Sequence, residues 1–325
     1  MNTDYPQARR SIIPYLKIAR PDHWFKNIFM IPGILLARFF QPGLELDTLL
    51  WGGALGFMAT CIVASSNYVL NEILDAPTDR HHPSKHTRPI PSGQVILSLA
   101  WIWWIVLTVV GLTFSFAINV GFGITALSLW IMGTLYNIPP IRLKDRMYGD
   151  VLSESINNPI RLALGWLAVG AAALPPLSVI IAYWMFGAFL MAAKRFAEYR
   201  QIADPERASK YRKSFGQYNE ENITVSIFYY ATLFALMGGF FIARYRFELI
   251  LAAPIVAYAM AYYMHLSYKP NSPVQQPEHL FRQKKLMLIV SIAFLACSLL
   301  LFVNLPDLRD WFEPVIPPPD YYYAP

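Results

Sequence analysis

The sequence predicts an all-α, polytopic membrane protein. Of its 325 residues, 55% are hydrophobic, and the mean hydropathy is +0.35. Only 15% are charged, whereas soluble domains carry about 25% charged residues. Apolar runs of about 20 residues, enough for a helix to cross a hydrocarbon core about 30 Å thick, recur along the chain. A soluble core cannot hold this many apolar residues. The sequence therefore predicts that the protein lies in a lipid bilayer.

Nine apolar runs are predicted to be transmembrane helices. They cover residues 24–42, 49–74, 95–116, 119–137, 151–171, 177–198, 223–243, 247–268 and 284–304. The fifth run is the least apolar, because it contains Glu154, Asn157, Asn158 and Arg161. The runs define a transmembrane domain over 24–304.

The basic residues predict the orientation of this domain. With the N-terminus inside, 22 of the 27 Lys and Arg residues fall on the inner side. The positive-inside rule therefore predicts a cytoplasmic N-terminal segment, 1–23, and a Pro-rich tail, 305–325, on the opposite side. The first 23 residues lack an apolar signal core, so no cleaved signal peptide is expected. The net charge of +6 follows from this topology, and no nucleic-acid partner is predicted.

A first polar cluster lies at the predicted cytoplasmic end of the second span. Asn71, Asp75 and Asp79 are spaced i, i+4 and i+8, which places them on one helical face. Pro77 is expected to distort or end the helix between the two aspartates. A column of oxygen-bearing side chains suits Mg²⁺, which takes one or two carboxylates and completes its coordination with water and substrate phosphate. The alternative is a solvated helix end at which acids and bases pair.

A second cluster follows the fourth span at the same predicted level. It supplies the carboxylates of Asp145, Asp150 and Glu154, and the cations of Arg142, Lys144 and Arg161. Two acidic clusters facing one pocket would hold Mg²⁺ around a diphosphate, and ionisable groups within a span usually mark a functional cavity. Mutual pairing of these charges remains the alternative.

A third cluster ends the sixth span, where Lys194 and Glu198 are spaced i and i+4 on either side of Arg195. Lys194 and Arg195 are predicted to meet an anionic substrate. The cations of the following loop, in residues 207–213, are interpreted as positive-inside charges.

These motifs resemble the UbiA superfamily of intramembrane prenyltransferases. The family pattern N-D-x-x-D-x-x-x-D is similar to the stretch from Asn71 to Asp79, with Glu72 in place of the usual Asp, and "RPIPSG" follows from Arg88. A second family pattern is carried by Tyr136, Lys144 and Asp150. The resemblance covers nearly the whole chain and implies a nine-helix bundle of UbiA type, with a central cavity open to the cytoplasmic side.

Within that superfamily the chain is similar to the polyprenyl-phosphate (decaprenyl-phosphate) phosphoribosyltransferase branch. The similarity lies in "RPDHWFKN" (residues 20–27), "DRHHPSKHTRPIPSG" (79–93), "AAKRFAEYRQ" (192–201) and "YRKSFGQY" (211–218). It implies Mg²⁺-dependent transfer from phosphoribosyl pyrophosphate to a polyprenyl phosphate in a bacterial inner membrane, with the active site facing the cytoplasm. One alternative is prenyl transfer from a polyprenyl diphosphate to an aromatic or quinone-precursor acceptor. The other is a non-enzymatic transporter or lipid-binding protein.

The expected site has three groups of residues. The predicted catalytic residues are Asp75, Asp79 and Asp150. The predicted metal ligands are Asn71, Asp75, Asp79, Asp145, Asp150 and Glu154. The predicted substrate-binding residues are Lys26, Glu72, Arg88, Tyr136, Arg142, Lys144, Asn158, Arg161, Lys194, Arg195 and Glu198.

The topology is testable with reporter fusions. A fusion after Lys213 should report the cytoplasm, because six predicted spans precede it. A fusion at the C-terminus should report the opposite side, because three more predicted spans follow Lys213. Alkaline phosphatase and green fluorescent protein fusions at both points provide the measurement. A cytoplasmic C-terminus would show that the number of spans is even.

Overall fold

The computed structural model describes residues 11–80, 85–171, 173–202 and 204–312. The described part of the chain contains α-helices and short 3₁₀ segments and no strands. The helices are α1 (Ile13–Ile18), α2 (Ile31–Phe40), α3 (Leu46–Asp79), α4 (Leu97–Ile118), α5 (Val120–Asn137), α6 (Gly149–Ser155), α7 (Asn157–Ala168), α8 (Leu177–Ile202), α9 (Pro205–Tyr211), α10 (Glu220–Tyr245), α11 (Ala253–Ser267) and α12 (Lys284–Phe302). The predicted all-α class is confirmed.

Seven helical segments of the described chain are long and apolar enough to cross a membrane. They are Leu46–Asp79, Leu97–Ile118, Val120–Asn137, Leu177–Ile202, Glu220–Tyr245, Phe247–Ser267 and Lys284–Phe302. They correspond to seven of the nine predicted spans, with ends that differ by up to five residues. Their large apolar side chains are widely exposed, as at Ile102, Ile105 and Val109 of α4. Exposed apolar faces of this extent belong in lipid, so the chain is an integral membrane protein.

The other two predicted spans are interrupted, and a proline explains each interruption. Over 24–42, a 3₁₀ segment, Pro21–Met30, precedes α2, which begins one residue before Pro32. Over 151–171, α6 and α7 are separated at Ile156, just before Pro159. Proline has no N–H to donate to the residue four positions earlier, and its ring clashes with that carbonyl. The total of nine spans therefore stays a prediction.

Two observations concern the other predicted segments. Residues 1–10 of the N-terminal segment and 313–325 of the Pro-rich tail lie outside the described residues. The predicted helix end at Pro77 is wrong, because α3 continues past this residue to Asp79. Asp75 and Asp79 therefore occupy one uninterrupted helix.

Two buried clusters hold the bundle together. One lies among α2, α3, α5 and α7, around Phe122 and Leu164. The other is centred on α8, where small residues such as Ala188 and Ala192 let α10 and α11 approach closely. The two clusters flank the region where the polar residues of α3, α5, α7 and α8 meet.

Glycines allow a close contact between α7 and the start of α2. A Cβ atom added at Gly33 would overlap the carbonyl oxygen of Leu162, and one added at Gly165 would overlap the carbonyl oxygen of Met30. Both backbones therefore need glycine at the contact. This contact fixes α7, which carries Arg161 into the centre of the bundle.

Gly33→Ala should destabilise the folded protein by about 1–3 kcal/mol, because the new methyl group overpacks this contact. Gly238→Ala is the matched control, since Gly238 lies in α10 with open space around it. The control should be neutral or slightly stabilising, because alanine favours the helix by about 0.5–1 kcal/mol. Thermal unfolding in detergent measures both. Equal stability of the two variants would contradict the close contact.

Candidate active site

A large cavity opens among the helices and holds most of the predicted site residues. Its volume is about 1180 Å³. Its walls come from the 3₁₀ segment Pro21–Met30, from α3, α5, α7 and α8, and from the loop after α8. Fifteen of the seventeen predicted site residues line it: Lys26, Asn71, Glu72, Asp75, Asp79, Arg88, Tyr136, Arg142, Lys144, Asp145, Glu154, Asn158, Arg161, Lys194 and Arg195. The other two, Asp150 and Glu198, contact Arg195 from behind the wall.

Asp75 is paired with two cations that approach from the loop between α5 and α6. Lys144 Nζ lies 2.6 and 2.8 Å from its two carboxylate oxygens, and Arg142 Nη2 lies 2.8 Å from Oδ1. Lys144 also donates to Asn137 Oδ1 at 2.9 Å. Burial lowers the pKa of Lys144, although Asp75 opposes that shift. The close charges bring the second predicted cluster against the first.

An unusual backbone conformation positions the Arg142 side chain. Its φ of 32° and ψ of 62° fall in the left-handed region, which residues other than glycine rarely occupy. From there its guanidinium reaches Asp75, Asp145 at 3.0 Å and the Asn137 carbonyl at 3.3 Å. Strained backbone of this kind often lies at functional sites.

Asp79 and Glu72 hold the loop that follows α3. Asp79 accepts a hydrogen bond from Arg88 Nη1 at 2.7 Å, and Lys85 Nζ lies 3.9 Å from it. Glu72 Oε1 accepts from the backbone N–H of Ile90 at 3.0 Å. Glu72 therefore lines the cavity and also fixes the "RPIPSG" turn.

A buried charge network lies between α6 and α8. Arg195 is 1% exposed and donates to three carboxylates, each at 3.0 Å: Nε to Asp150, Nη1 to Glu198 and Nη2 to Glu154. Glu154 also accepts from the Tyr136 hydroxyl at 3.2 Å. A buried ion of this kind is stable only when it is fully paired. Arg195 therefore organises the carboxylates around it.

Asp150 connects that network to the loop after α8. Besides Arg195, it accepts from Arg212 at 3.2 Å, from Ser214 at 3.2 Å and from the Tyr218 hydroxyl at 2.8 Å. The carboxylate is fully buried, and both of its oxygens accept hydrogen bonds from protein side chains. These contacts hold Asp150 firmly within the protein, and its predicted role as a metal ligand stays a prediction.

Local capping folds the loop back onto Asp150. The Asp204 side chain accepts from the backbone N–H groups of Glu206 and Arg207, which starts α9. Asn219 and Asn222 form a capping box that starts α10. The short segment between these two helix starts carries the three loop partners of Asp150.

Lys194 and Glu198 form the predicted i, i+4 pair, at 3.8 Å. Lys194 faces the cavity, whereas Glu198 is directed to Arg195. Arg207, Arg212 and Lys213 also line the cavity. The interpretation of the loop cations as positive-inside charges alone is therefore incomplete.

Several polar contacts were absent from the sequence prediction. Asn27 accepts from Arg161 Nε at 2.8 Å and donates to Cys61 at 3.1 Å. Arg212 and Tyr218 bind Asp150. A signal for these residues was present, because Asn27 lies in "RPDHWFKN" and Arg212 and Tyr218 lie in "YRKSFGQY". Only the fold shows which partners they meet.

The donor set around α3 suits a hard cation. Asn71, Asp75 and Asp79 offer only oxygen donors of the kind that Mg²⁺ prefers, and all three line the cavity. Within the described residues, no three His, Cys, Asp or Glu side chains already form a metal-binding group. Mg²⁺ needs only one or two carboxylates, because water and substrate supply its other ligands. The residues present fit such an ion.

Comparisons with known proteins point to one family. The model of the UbiA prenyltransferase family matches residues 28–286. Decaprenyl-phosphate phosphoribosyltransferase from Mycolicibacterium smegmatis is 32% identical over 220 residues, which cover 62% of each chain. Nodulation protein NoeC from Azorhizobium caulinodans is 37% identical over 122 residues, which cover 37% of this chain and 38% of NoeC. The chain thus spans less than two thirds of the length of these relatives.

Solved structures share the fold. A UbiA homolog from Archaeoglobus fulgidus bound to GPP and Mg²⁺ superposes with a TM-score of 0.65 at 19% identity, covering 89% of this chain and all of that one. The structure of a digeranylgeranylglyceryl phosphate synthase gives a TM-score of 0.60 at 17% identity, covering 89% and 98% of the two chains. Likeness at this identity supports the fold and says nothing about substrate.

Asp150→Asn should destabilise the protein by about 3–5 kcal/mol, because it leaves Arg195 and Arg212 without their shared buried carboxylate. Thermal unfolding in detergent with EDTA measures this without any metal contribution. Asp307→Asn, at an exposed position, is the matched control and should unfold like the wild type. Unchanged stability of Asp150→Asn in EDTA, together with lost Mg²⁺-dependent turnover, would contradict this structural role and support the metal-ligand role.

Proposed function

The chain belongs to the UbiA prenyltransferase family, and within that family we propose that it transfers a phosphoribosyl group from phosphoribosyl pyrophosphate to a polyprenyl phosphate, releasing diphosphate. The matches to decaprenyl-phosphate phosphoribosyltransferases agree with this branch. The proposed site faces the cytoplasm of a bacterial inner membrane, from which the soluble donor would enter.

The observation that carries the proposal is the charge of the cavity wall. Among the described residues, five acidic side chains line it: Glu72, Asp75, Asp79, Asp145 and Glu154. Twelve basic side chains line it: Arg20, Lys26, Lys85, Arg88, Arg142, Lys144, Arg161, Lys194, Arg195, Arg207, Arg212 and Lys213. Such an excess of cations favours a polyanionic ligand set.

The two candidate donors differ in how much of this charge they neutralise. A prenyl diphosphate has one anionic head, most of whose charge bound Mg²⁺ would already neutralise. Phosphoribosyl pyrophosphate has a diphosphate on C1 of the ribose and a separate phosphate on C5, and the phosphate of the lipid acceptor is a third anionic group. The number and spread of the cations match three anionic groups better than one.

The carboxylates of α3 are the proposed Mg²⁺ ligands. Asp75 and Asp79, with the Asn71 amide oxygen, would hold the ion, which when bound supplies charge neutralisation for a leaving diphosphate. Lys144 and Arg142 already lie within hydrogen-bond distance of Asp75, so a diphosphate beside Asp75 is within their reach.

The proposed reaction needs no general base. The bond between C1 and the diphosphate oxygen breaks, and its electron pair leaves on the diphosphate. A lone pair on an oxygen of the lipid phosphate forms the new bond to C1. That phosphate is already ionised near neutral pH, so no proton has to be removed. The protein's contribution is to orient two anions and to balance the charge that develops between them.

Prenyl transfer to an aromatic acceptor is the second candidate. The match to the UbiA prenyltransferase family agrees with it, and the acidic residues of α3 would serve a prenyl diphosphate equally well. Under that function a hydrocarbon chain would have to lie in the cavity against buried cations such as Arg161, which is unfavourable.

A product assay separates the two candidates. Purified protein with Mg²⁺ receives either phosphoribosyl pyrophosphate labelled in the ribose and a polyprenyl phosphate, or a labelled prenyl diphosphate and 4-hydroxybenzoate. We expect a labelled phosphoribosyl lipid in the organic extract of the first reaction and no prenylated aromatic product in the second. A prenylated product, with no phosphoribosyl lipid, would overturn the proposal.

Asp75→Asn should reduce turnover to background while the folded yield stays close to that of the wild type. The amide removes a charged oxygen ligand for Mg²⁺, yet its oxygen still accepts from Lys144 and Arg142. Size-exclusion profiles in detergent report folding, and the product assay reports turnover. Full activity of Asp75→Asn and of Asp79→Asn at saturating Mg²⁺ would remove the metal assignment.

A further inference from the structure

We propose that Arg161, with the amide oxygens of Asn157 and Asn67, forms a subsite for the ribose 5-phosphate end of the donor, separate from the diphosphate end at Asp75 and Asp79. This inference rests on the proposed function and specifies how the cavity holds that substrate. The sequence pointed to Lys194 and Arg195 as the residues that meet an anionic substrate. In the structure, three carboxylates occupy Arg195.

Arg161 is a buried cation that has no acidic partner among the described residues. It is 8% exposed and lines the cavity. Nε donates to Asn27 and Nη1 donates to the Asn157 carbonyl at 3.3 Å. No carboxylate in the described part of the chain forms an ion pair with it, and its Nη2 donates to none of the described residues. Charged groups within a membrane bundle are costly and usually face a functional cavity.

Two buried acceptors on residues that line the same cavity also lack partners among the described residues. Asn157 Oδ1 and Asn67 Oδ1 are buried and accept no hydrogen bond from the described residues. The orientation of each amide is fixed, because Asn157 Nδ2 donates to the Glu154 carbonyl and Asn67 Nδ2 donates to the Leu129 carbonyl, both at 3.1 Å. Both residues line the cavity. An amide oxygen can only accept, so it calls for a ligand with O–H groups.

The combination of groups identifies the ligand class. The free edge of a guanidinium suits a phosphate, which it can bind in forked geometry. The two amide oxygens suit hydroxyl groups. A sugar phosphate offers both, a lipid phosphate offers only the anion, and a prenyl chain offers neither.

The position of the subsite suits the far end of the same donor. Asn67 lies eight residues before Asp75 on α3, which is about 12 Å at 1.5 Å per residue. Arg161 lies in α7, beyond the break at Ile156 that separates this helix from Glu154 of α6. A ribose that carries its diphosphate on C1 and its phosphate on C5 can span a distance of this order.

Binding of ribose 5-phosphate tests the subsite without turnover. In detergent with EDTA, ribose 5-phosphate should raise the melting temperature of the wild type and of Arg244→Met, which replaces an exposed arginine outside the cavity. It should not raise that of Arg161→Met. Inorganic diphosphate with Mg²⁺ should stabilise all three proteins, which shows that the other end of the site is intact.

Steady-state kinetics provide the second measurement. Arg161→Met should raise KM for phosphoribosyl pyrophosphate by about 10- to 100-fold, the loss of one charge-assisted contact, and leave KM for the polyprenyl phosphate within about twofold. If Arg161→Met does not fold, Asn157→Leu carries the test, and it should weaken ribose 5-phosphate binding while it leaves diphosphate binding unchanged.

Two results would overturn the subsite. The first is undiminished stabilisation of Arg161→Met by ribose 5-phosphate. The second is a raised KM for the polyprenyl phosphate alone, which would assign the arginine to the acceptor. A wild type that makes no phosphoribosyl lipid would instead refute the proposed function, and the product assay detects that failure independently.

Discussion

The site depends on one buried guanidinium. Arg195 joins Asp150 and Glu154, from the α6 segment, to Glu198 on its own helix. Through Asp150 the same network holds Arg212 and Tyr218 of the loop that follows α8. Removing any partner would leave a charge buried without compensation, which costs more than most single packing defects. The network therefore fixes the loop against the bundle and keeps its cations at the cavity.

The acidic and basic side chains of this network balance each other, whereas those of the cavity wall do not. Asp150 and Glu198, behind the wall, pair with Arg195, and Asp150 also pairs with Arg212. On the wall itself, basic side chains outnumber acidic ones, and Arg161 has no carboxylate partner among the described residues. Charge that the protein does not balance internally has to be balanced by bound anions. The distinction separates residues that build the site from residues that are available to substrate.

The sequence predicts most of the long helices, since a continuous apolar run leaves a chain in lipid few alternatives to helix. It also predicts the column of Asn71, Asp75 and Asp79, since helical periodicity alone places them on one face. It fails where local chemistry interrupts an apolar run, as Pro32 and Pro159 do in the first and fifth predicted spans. Polar residues of both interrupted segments, such as Lys26 and Asn157, line the cavity.

Partner choice is the part that the sequence could not reveal. Asp150 has the spacing of a metal ligand, yet a loop more than sixty residues away covers it and occupies both of its oxygens. Arg212 lies in a basic loop whose charge the positive-inside rule explains. Only the folding of that loop back onto the bundle brings Arg212 to Asp150. Arg161 and Asn27 are 134 residues apart in sequence, so no spacing rule relates them. Each of these contacts depends on tertiary structure.

The proposed cavity holds one polar donor at two separate anionic groups, a diphosphate and a phosphate. Calorimetric titration of the purified protein with phosphoribosyl pyrophosphate and with geranyl diphosphate, each with Mg²⁺ and without an acceptor, distinguishes this donor from a prenyl diphosphate. We predict at least about tenfold tighter binding of phosphoribosyl pyrophosphate, equivalent to about 1.4 kcal/mol. Tighter binding of geranyl diphosphate would contradict it.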